Sequence, residues 1–499
     1  MTDQTTKTKP LHIVLIHLDL GIGGAEQLML NLALASIGEP LNGDVSIFTT
    51  HCDQSHCFDA VRKASGSNPT EGILASKVHL VGQFLPVNVL GKGTAFCSTI
   101  RMMYLTYKAK RMYPDADVFV IDVLPSSIPY LVHGSKSVIY YCHFPDKLLT
   151  RDTVNGETSQ SSTNVKSLFR SVYRKMLDYI EETTMSYSDV ICFNSKFTRE
   201  EVLKAFPSLQ SLTSRMQVLY PAIDLDRFIE PDFNLKRLLA SKASQSSSSD
   251  AQMPIVSLNR FERKKNIELL LHAYAIIHKD YTNDDKKDIG ALPPLVIAGG
   301  YDHRNVENLE YLEELKTLAK SLGISSNTKF RPSVSDEERA VLLQSAICVV
   351  YTPYREHFGI VPLEAMYAGS ATIAIKSGGP KETIIDGETG ILVDQKDSED
   401  YQSLASAIQE LLRDTDKAIA MGQRGHEHVK EKFGLGPFRK DWKRILCEEA
   451  IPKGIHRQSN TDKRLTKVFA YILILVAWYT ARYILAGSSK EWKQLYRFD

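Results

Sequence analysis

Short apolar runs recur along the first half of the chain, and longer stretches with helical periodicity separate them. The helical stretches include residues 26–36, 99–111 and 168–186. The apolar runs occupy residues 11–17, 45–49, 78–81, 118–123, 138–142 and 190–193. The first run, LHIVLIH, is apolar almost throughout rather than alternating, which is typical of a strand covered on both faces. Alternation of such strands with helices predicts an α/β fold with a parallel, doubly wound sheet.

The same rhythm restarts after a polar segment in the middle of the chain. Residues 241–253 read SKASQSSSSDAQM, a low-complexity sequence that cannot bury a core. Further strand candidates follow at residues 255–258, 295–298, 328–331, 348–351, 371–375 and 390–393. The pattern therefore predicts two Rossmann-like domains, over residues 1–225 and 255–450, joined by a polar linker at 226–254. Because ligands bind beyond the carboxyl ends of the strands in such folds, we expect the domains to face each other across a cleft.

Residues 451–499 form a predicted tail with a different pattern. Within it, residues 468–486 read VFAYILILVAWYTARYILA and carry Arg482 as their only charged residue. A helix of this length spans about 28 Å, close to the hydrocarbon thickness of a bilayer, about 30 Å. The segment predicts a C-terminal membrane helix. A helix lying flat in the membrane interface and a buried core helix are the alternatives.

Composition narrows the class of protein. The 499 residues carry 60 Lys and Arg against 59 Asp and Glu, and this net charge of +1 argues against a dedicated nucleic-acid binder. The seven cysteines form no Cys-x-x-Cys pair, which favours a reducing compartment over a disulfide framework. Residues 1–10 are polar and lack the apolar stretch of a signal peptide. We therefore expect the folded part of the chain to face the cytosol.

Two motifs follow strands of the predicted N-terminal domain. Gly23 and Gly24, in the sequence GIGGAE, come after the first strand and open a helix, where the backbone could approach an anion or a sugar. A plain tight turn would explain the same glycines. His143, in the sequence YYCHFPD, ends another strand and could hydrogen-bond a sugar hydroxyl or stabilise developing charge. A purely structural histidine is the alternative interpretation.

Two further motifs follow strands of the predicted C-terminal domain. Arg260 and Lys265 lie in the sequence SLNRFERKKNI, where a guanidinium and an ammonium group could bind a diphosphate. A solvated charged surface is the alternative. Gly299 and Gly300 end the next strand, and they either permit close approach of the backbone to a ligand or form a simple turn.

The most specific stretch is YREHFGIVPLEAM, which contains Glu356 and Glu364 with seven residues between them. Pro362 suits the first turn of a helix. The residues expected at or just before the start of this helix are Phe358, Gly359 and Ile360. Their amides could bind phosphate oxygens, with Glu364 projecting from the first turn toward a ribose and Glu356 lying near the sugar. Complementarity with the helix dipole would explain only one of the two glutamates.

In this combination, order and spacing, the motifs resemble those of retaining, two-domain GT-B glycosyltransferases of the family 4 type. The resemblance extends over about residues 11–445. The sequences CHFPD and NRFERKKN, together with the hydrophobic C-terminal segment, are more closely similar to the mannosyltransferases that assemble dolichol-linked oligosaccharides. Any one of these motifs alone would be weak, but the set is specific.

The resemblance implies an enzyme that takes mannose from GDP-mannose with retention of configuration. It implies transfer of one alpha-1,3- and one alpha-1,6-linked mannose to mannosyl-chitobiosyl-diphosphodolichol on the cytosolic face of the endoplasmic reticulum membrane. The implied partners are the lipid bilayer and, by analogy, other early glycosyltransferases of the pathway, with no nucleic acid. No metal or other cofactor is expected, because basic side chains and helix-start amides can neutralise the diphosphate.

The resemblance also implies a role for each motif. Arg260 and Lys265 would hold the diphosphate, and Glu364 would bind the ribose. The catalytic residues would be Glu356, on the transferred mannose, and His143, near its reacting carbon or a hydroxyl. The remaining donor-binding residues would be Gly23, Gly24, Gly299, Gly300, Phe358, Gly359 and Ile360. A transferase for another nucleotide-sugar or acceptor, and a catalytically silent membrane scaffold, are the alternatives.

Overall fold

Each of the twelve apolar runs forms a strand in the computed structural model. The structure describes residues 10–65, 70–88, 94–133, 135–148, 165–223, 225, 228–244, 252–282, 291–395 and 400–456. The chain divides into two compact units. The first unit takes its described residues from Met1–Asn194, Arg199–Leu219 and Arg439–Asp499, and the second consists of described residues from Ser195–Thr198 and Tyr220–Phe438.

The first unit is built on a seven-stranded sheet. Its strands are β1 (His12–Ile16), β2 (Asp44–Thr49), β3 (Val78–Leu80), β4 (Val118–Asp122), β5 (Val138–Cys142), β6 (Val190–Phe193) and β7 (Met216–Val218). They are all parallel, in the order β3-β2-β1-β4-β5-β6-β7. Every residue of β4, β5 and β6 is buried, as expected for strands covered on both faces.

Helices of the first half connect these strands. They are α1 (Gly24–Ile37), α2 (Thr94–Met112), α3 (Ile128–Val132), α4 (Val165–Met185) and α5 (Lys196–Ala205). The order of the first six strands is that of a Rossmann fold, in which the chain switches direction along the sheet between β1 and β4. The carboxyl ends of these two neighbouring strands are therefore where a ligand site is expected.

The second unit repeats this plan with a six-stranded sheet. Its strands are β8 (Ile255–Leu258), β9 (Leu295–Gly299), β10 (Thr328–Pro332), β11 (Cys348–Tyr351), β12 (Ala371–Ile375) and β13 (Ile391–Val393). They are parallel in the order β10-β9-β8-β11-β12-β13, so the switch in direction lies between β8 and β11. The prediction of two Rossmann-like α/β units is confirmed.

Among the described residues, the helices of the second half are more numerous. They are α6 (Phe233–Ser244), α7 (Ile267–Thr282), α8 (Val306–Ser321), α9 (Asp336–Ser345), α10 (Ile360–Tyr367), α11 (Pro380–Thr383), α12 (Tyr401–Arg413), α13 (Thr415–Lys432), α14 (Leu435–Arg444) and α15 (Ile451–His456). A π-helical turn at Ile445–Ala450 joins the last two. Helix α6 lies within residues 226–254, where the sequence predicted only a polar linker.

The chain returns to the first unit after completing the second. From Arg439 onward, the described residues group with the first unit, although the sequence assigned residues up to 450 to the C-terminal domain. The reason is packing: Trp442 is fully buried and its indole Nε1 donates a 2.8 Å hydrogen bond to Ser36 Oγ on α1. Farther along, Ser137 Oγ donates a 2.9 Å hydrogen bond to the carbonyl of Ala450.

The predicted membrane helix at residues 468–486 lies outside the described residues. Within the described part of the chain, no helix combines the length and the apolar character needed to cross a bilayer.

Replacing Trp442 tests whether this returning segment stabilises the first unit. Trp442→Ala would leave a cavity the size of an indole, so we expect the free energy of unfolding of the first unit to fall by about 3–5 kcal/mol. Trp442→Phe keeps most of the buried ring and loses mainly the hydrogen bond to Ser36, so its loss should be clearly smaller. Urea unfolding followed by circular dichroism measures both. Equal stability of the two variants would contradict the packing role.

Candidate active site

Three polar side chains meet at the carboxyl edge of the first sheet. His17 follows β1, Asp122 is the last residue of β4, and His143 follows β5. Because β4 pairs with both β1 and β5 in parallel, these three positions are neighbours. His17 Nδ1 lies 2.8 Å from both carboxylate oxygens of Asp122, and His143 Nε2 lies 3.0 Å from Asp122 Oδ2. One carboxylate thus binds two imidazoles.

The buried position of this cluster makes its charges depend on one another. Burial opposes protonation of His17, but the adjacent Asp122 carboxylate, helped by Glu26, outweighs burial and raises the pKa of His17 to about 10. Burial likewise favours the neutral acid at Asp122, yet the charge of His17 and the hydrogen bonds from both histidines lower the pKa of Asp122. At neutral pH the cluster therefore holds a charged imidazolium against a charged carboxylate.

The predicted glycine motif contributes to the same cluster. Gly23 is the residue before α1, and Gly24 is the first residue of that helix. A Cβ atom on Gly23 would lie 2.4 Å from Glu26 Oε2, so glycine leaves room for the Glu26 carboxylate to fold back. Glu26 Oε1 then lies 3.9 Å from His17 Nε2, on the other side of the imidazole from Asp122. The predicted donor contacts of Gly23 and Gly24 stay predictions.

The second unit places an ion pair at the equivalent edge of its own sheet. Lys265 ends a short 3₁₀ turn after β8, and Glu356 follows the neighbouring strand β11. Lys265 Nζ lies 2.6 Å from Glu356 Oε2, and both side chains are mostly buried. Burial would favour the neutral form of Glu356, but the charge and hydrogen bond of Lys265 lower the pKa of this carboxyl group. Thr352 Oγ1 fixes the turn by donating to the carbonyl of Lys265 over 2.6 Å.

The two predicted clamp residues differ in their surroundings. The Arg260 side chain is 69% exposed and pairs with Glu262 over 3.2 Å, whereas Lys265 is buried against Glu356. An exposed pair of this kind contributes little to stability and leaves the guanidinium able to change partners. The structure therefore brings Lys265, and not Arg260, into contact with a predicted catalytic residue.

The predicted glycines at the end of β9 permit a close approach between two strands. Gly299 has a φ of +143°, and a Cβ atom there would lie 2.1 Å from the carbonyl oxygen of Asn259, just after β8. A Cβ atom on Gly300 would lie 3.1 Å from Arg260 Cγ. The glycines thus make room for the backbone of the neighbouring loop after β8. Their contact with a donor stays a prediction.

Helix α10 begins where the sequence predicted. Gly359 is the residue before the helix, with a φ of +81°, and Ile360 is its first residue. Phe358 precedes them and is buried, so it fixes the start of the helix in the core. Glu364 is the fifth helical residue and therefore lies in the second turn, not the first as predicted.

Sequence reasoning missed three residues that contact the predicted glutamates. Arg339, on α9, forms an ion pair with Glu364. Tyr351, at the end of β11, shares a hydrogen bond with Glu356. Burial, followed by the charges of the two glutamates, raises the pKa of Tyr351 well above its ordinary value. Gly378, with a φ of +65°, leaves no room for a side chain, because a Cβ atom would lie 2.1 Å from the Glu356 carbonyl.

A recognisable sequence signal existed for only some of the missed residues. Gly378 is part of the sequence SGGP after β12, a glycine pair like the predicted pairs after β1 and at the end of β9. His17 and Asp122 end apolar runs, where a polar residue at a strand end indicates a site. Arg339 lies in a charged helix start, DEER, and nothing in the sequence distinguishes it from a surface residue.

The arrangement can bind a phosphorylated sugar nucleotide. An ammonium group, an ionised carboxylate and a helix start lie along one edge of the second sheet, which suits a diphosphate and a polyhydroxylated group. The described residues contain no group of three or more His, Cys, Asp or Glu side chains that could hold a metal ion.

Comparisons with solved structures identify the fold. The chain is similar to a sucrose-phosphate synthase from Thermosynechococcus elongatus, with a TM-score of 0.62 and 20% identity, covering 88% of this chain and 98% of that one. It is also similar to WaaG, a glycosyltransferase involved in lipopolysaccharide biosynthesis, with a TM-score of 0.55 and 16% identity, over 87% and 99% of the two chains. The two α/β units therefore have the GT-B-like fold that the sequence predicted.

Comparisons of sequence identify the family. The family model "Glycosyl transferases group 1" matches residues 241–428. A relative from Schizosaccharomyces pombe is 32% identical over 95% of this chain and 88% of its own length. Relatives from Rhizomucor pusillus and Homo sapiens are 36% and 34% identical, over 88% and 87% of this chain and 92% and 95% of their own lengths. All three are named alpha-1,3/1,6-mannosyltransferase, and the resemblance inferred from the motifs is confirmed: the chain belongs to the alpha-1,3/1,6-mannosyltransferase family of glycosyltransferases.

Proposed function

We propose that this protein transfers mannose from GDP-mannose to mannosyl-chitobiosyl-diphosphodolichol, forming one alpha-1,3 and one alpha-1,6 linkage with retention of configuration. The buried pair of Lys265 and Glu356 carries the chemical part of this proposal, because it joins a cation for a diphosphate to a carboxylate for a sugar. The names of the relatives support mannose as the transferred sugar and these two linkages.

The ion pair suits a donor that carries both kinds of group. In the absence of a donor, each charge of the pair stabilises the other in a poorly solvated place. A bound diphosphate would give Lys265 a second anionic partner, while sugar hydroxyls would donate hydrogen bonds to Glu356. The amides of Gly359 and Ile360 at the start of α10 would bind phosphate oxygens, and Arg260 is exposed enough to join them.

The reaction breaks the bond between the anomeric carbon of mannose and the diphosphate oxygen. A bond from the acceptor hydroxyl forms on the same face of the sugar, and GDP leaves. The hydroxyl proton passes to a donor phosphate oxygen, so no protein base is assigned. Positive charge develops on the sugar ring, and negative charge on the leaving diphosphate, which Lys265 stabilises. We assign His143 to the transferred mannose on the resemblance to the family.

The lipid-linked acceptor lies in a bilayer, and we propose that this enzyme is anchored in the same bilayer. Residues 468–486 would form a helix in the endoplasmic reticulum membrane, with both α/β units on its cytosolic side. Attachment raises the effective concentration of a lipid-linked acceptor at the site. Early glycosyltransferases of the same pathway would be neighbours on this membrane surface.

Lys265→Ala tests the diphosphate contact. The change removes the cation opposite the leaving group and leaves Glu356 without its partner, so we expect kcat/KM for GDP-mannose to fall by about 10²–10³-fold. Lys264→Ala is the matched control, because Lys264 is the neighbouring residue, carries the same charge and is 70% exposed. Initial-rate kinetics measure both variants. Equal, small effects of the two substitutions would contradict the assignment of Lys265.

Deletion of residues 463–499 tests the membrane helix. We expect the shortened protein to move from the carbonate-washed membrane pellet to the supernatant, because it lacks the apolar segment. Deletion of residues 487–499 is the control, since it leaves residues 468–486 in place and should not release the protein. A shortened protein that stays with the membrane would show that other surfaces attach it.

The activity itself is tested by the mass of the product. The detergent-solubilised protein is incubated with GDP-mannose and a lipid-linked mannosyl-chitobiose, and the mass of the resulting acceptor is measured by mass spectrometry. A gain of two hexoses is the expected result. A gain of one would remove the second linkage from the proposal. No gain with GDP-mannose, but a gain with another nucleotide-sugar, would overturn the donor.

A further inference from the structure

The first unit contains a buried charged group to which the proposed reaction gives no task. Asp122 is fully buried, and His17 is almost so, while the His143 side chain is 25% exposed. Of these three residues, only His143 is therefore open to a ligand. Asp122 can therefore act on a substrate through His143, whereas His17 also contacts Glu26, which is 24% exposed.

The hydrogen bonds determine which nitrogen of His143 carries a proton. An ionised carboxylate only accepts hydrogen bonds, so His143 Nε2, 3.0 Å from Asp122 Oδ2, must be the donor. In the neutral ring, Nδ1 then holds the lone pair. Among the residues that the structure describes, none forms a hydrogen bond with Nδ1. The nitrogen that Asp122 leaves as an acceptor is also the one without a hydrogen-bond partner in the described part of the chain.

His17 balances the charge of Asp122 on the buried side of the cluster. A buried carboxylate with one imidazole would favour the imidazolium, because an unpaired charge is poorly solvated there. His17 already supplies that cation, with Nδ1 against both oxygens of Asp122 and Nε2 facing Glu26. Because His17 lies against Asp122 on the buried side, the hydrogen bond between His143 and Asp122 serves to orient the His143 ring.

We propose that Asp122 is a positioning residue that fixes His143 in the Nε2–H form, so that Nδ1 accepts a hydrogen bond from a hydroxyl of the transferred hexose, with His17 as the permanent counter-cation. This inference rests on the proposed function, through the assignment of His143 to that sugar. A hydroxyl that donates to a neutral imidazole gains electron density. It therefore stabilises the positive charge that develops on the sugar ring in the transition state.

Asp122→Asn reverses the hydrogen-bond pattern without changing the shape of the side chain. The amide has one accepting oxygen, so it cannot accept from both His17 Nδ1 and His143 Nε2 as the carboxylate does. When that oxygen faces His17, the NH₂ group faces His143 Nε2, which must then accept and carry its proton on Nδ1. We expect kcat to fall about 10²–10⁴-fold, the range found when a catalytic imidazole is held in the wrong tautomer. KM for GDP-mannose should change less than about threefold, because the lost interaction belongs to the transition state.

A double-mutant cycle separates positioning from a general loss of stability. If Asp122 acts through His143, Asp122→Asn should cost less than about threefold when introduced into His143→Ala. Asp117→Asn is the matched control: Asp117 precedes the same strand at its opposite end and accepts a hydrogen bond from the backbone of His12 over 2.9 Å. It should keep kcat within about twofold of the wild-type protein.

Two variants of His143 test the same point with little risk to folding. The amide of His143→Asn reaches the position of Nδ1, and the amide of His143→Gln reaches that of Nε2. If Nδ1 is the substrate contact, the Asn variant should have the higher kcat, by about tenfold.

The possible results distinguish failure of the proposed function from failure of the positioning role of Asp122. A wild-type protein that transfers no mannose overturns the proposed function, and the inference with it. A wild-type protein that transfers mannose, combined with additive effects in the cycle, overturns only the positioning role. The positioning role is also overturned if His143→Gln is at least as active as His143→Asn, or if Asp117→Asn lowers kcat as much as Asp122→Asn.

Discussion

A carboxylate buried near the carboxyl edge of a parallel sheet needs a cation or hydrogen-bond donors to stay ionised, and both sheets of this protein supply a cation. Glu356 lies against Lys265, and Asp122 lies against His17. In each pair the cation follows the strand that comes first in the sequence of its sheet, which is β1 or β8. The carboxylate comes from the neighbouring strand across the switch point: Asp122 ends β4, and Glu356 lies in the loop after β11. The strand order thus brings together charges that are about one hundred residues apart in sequence.

The two pairs differ in what they leave for a substrate. Lys265 and Glu356 are themselves partly accessible, so a ligand can insert its own charges and hydroxyls between them or beside them. Asp122 and His17 are closed to solvent, and the partly exposed side chains that contact them are His143 and Glu26. The first arrangement suits recognition of a charged donor, whereas the second can hold one ring in a defined orientation and protonation state.

Much of the fold followed from the sequence because its strands are covered on both faces and therefore read as unbroken apolar runs. The three-residue edge strand β7 was not predicted, although the equally short edge strands β3 and β13 were. The start of α10 was predicted because Pro362 and the adjacent glycine mark it, but Glu364 was placed one turn too early. His17 and Asp122 were absorbed into apolar runs, and the choice between Arg260 and Lys265 required knowledge of burial that neighbouring basic residues do not reveal.

The return of the chain to the first unit has a consequence for the order in which the protein can mature. During synthesis, α1 and the first sheet emerge early, but the segment carrying Trp442 is made only after the whole second unit. Until then, the surface around Ser36 that this indole covers stays open, and the first unit is incomplete. A ribosome-bound chain would therefore pass through a stage in which the later unit can fold before the earlier one is finished. Factors that protect exposed apolar surface would be needed most at that stage.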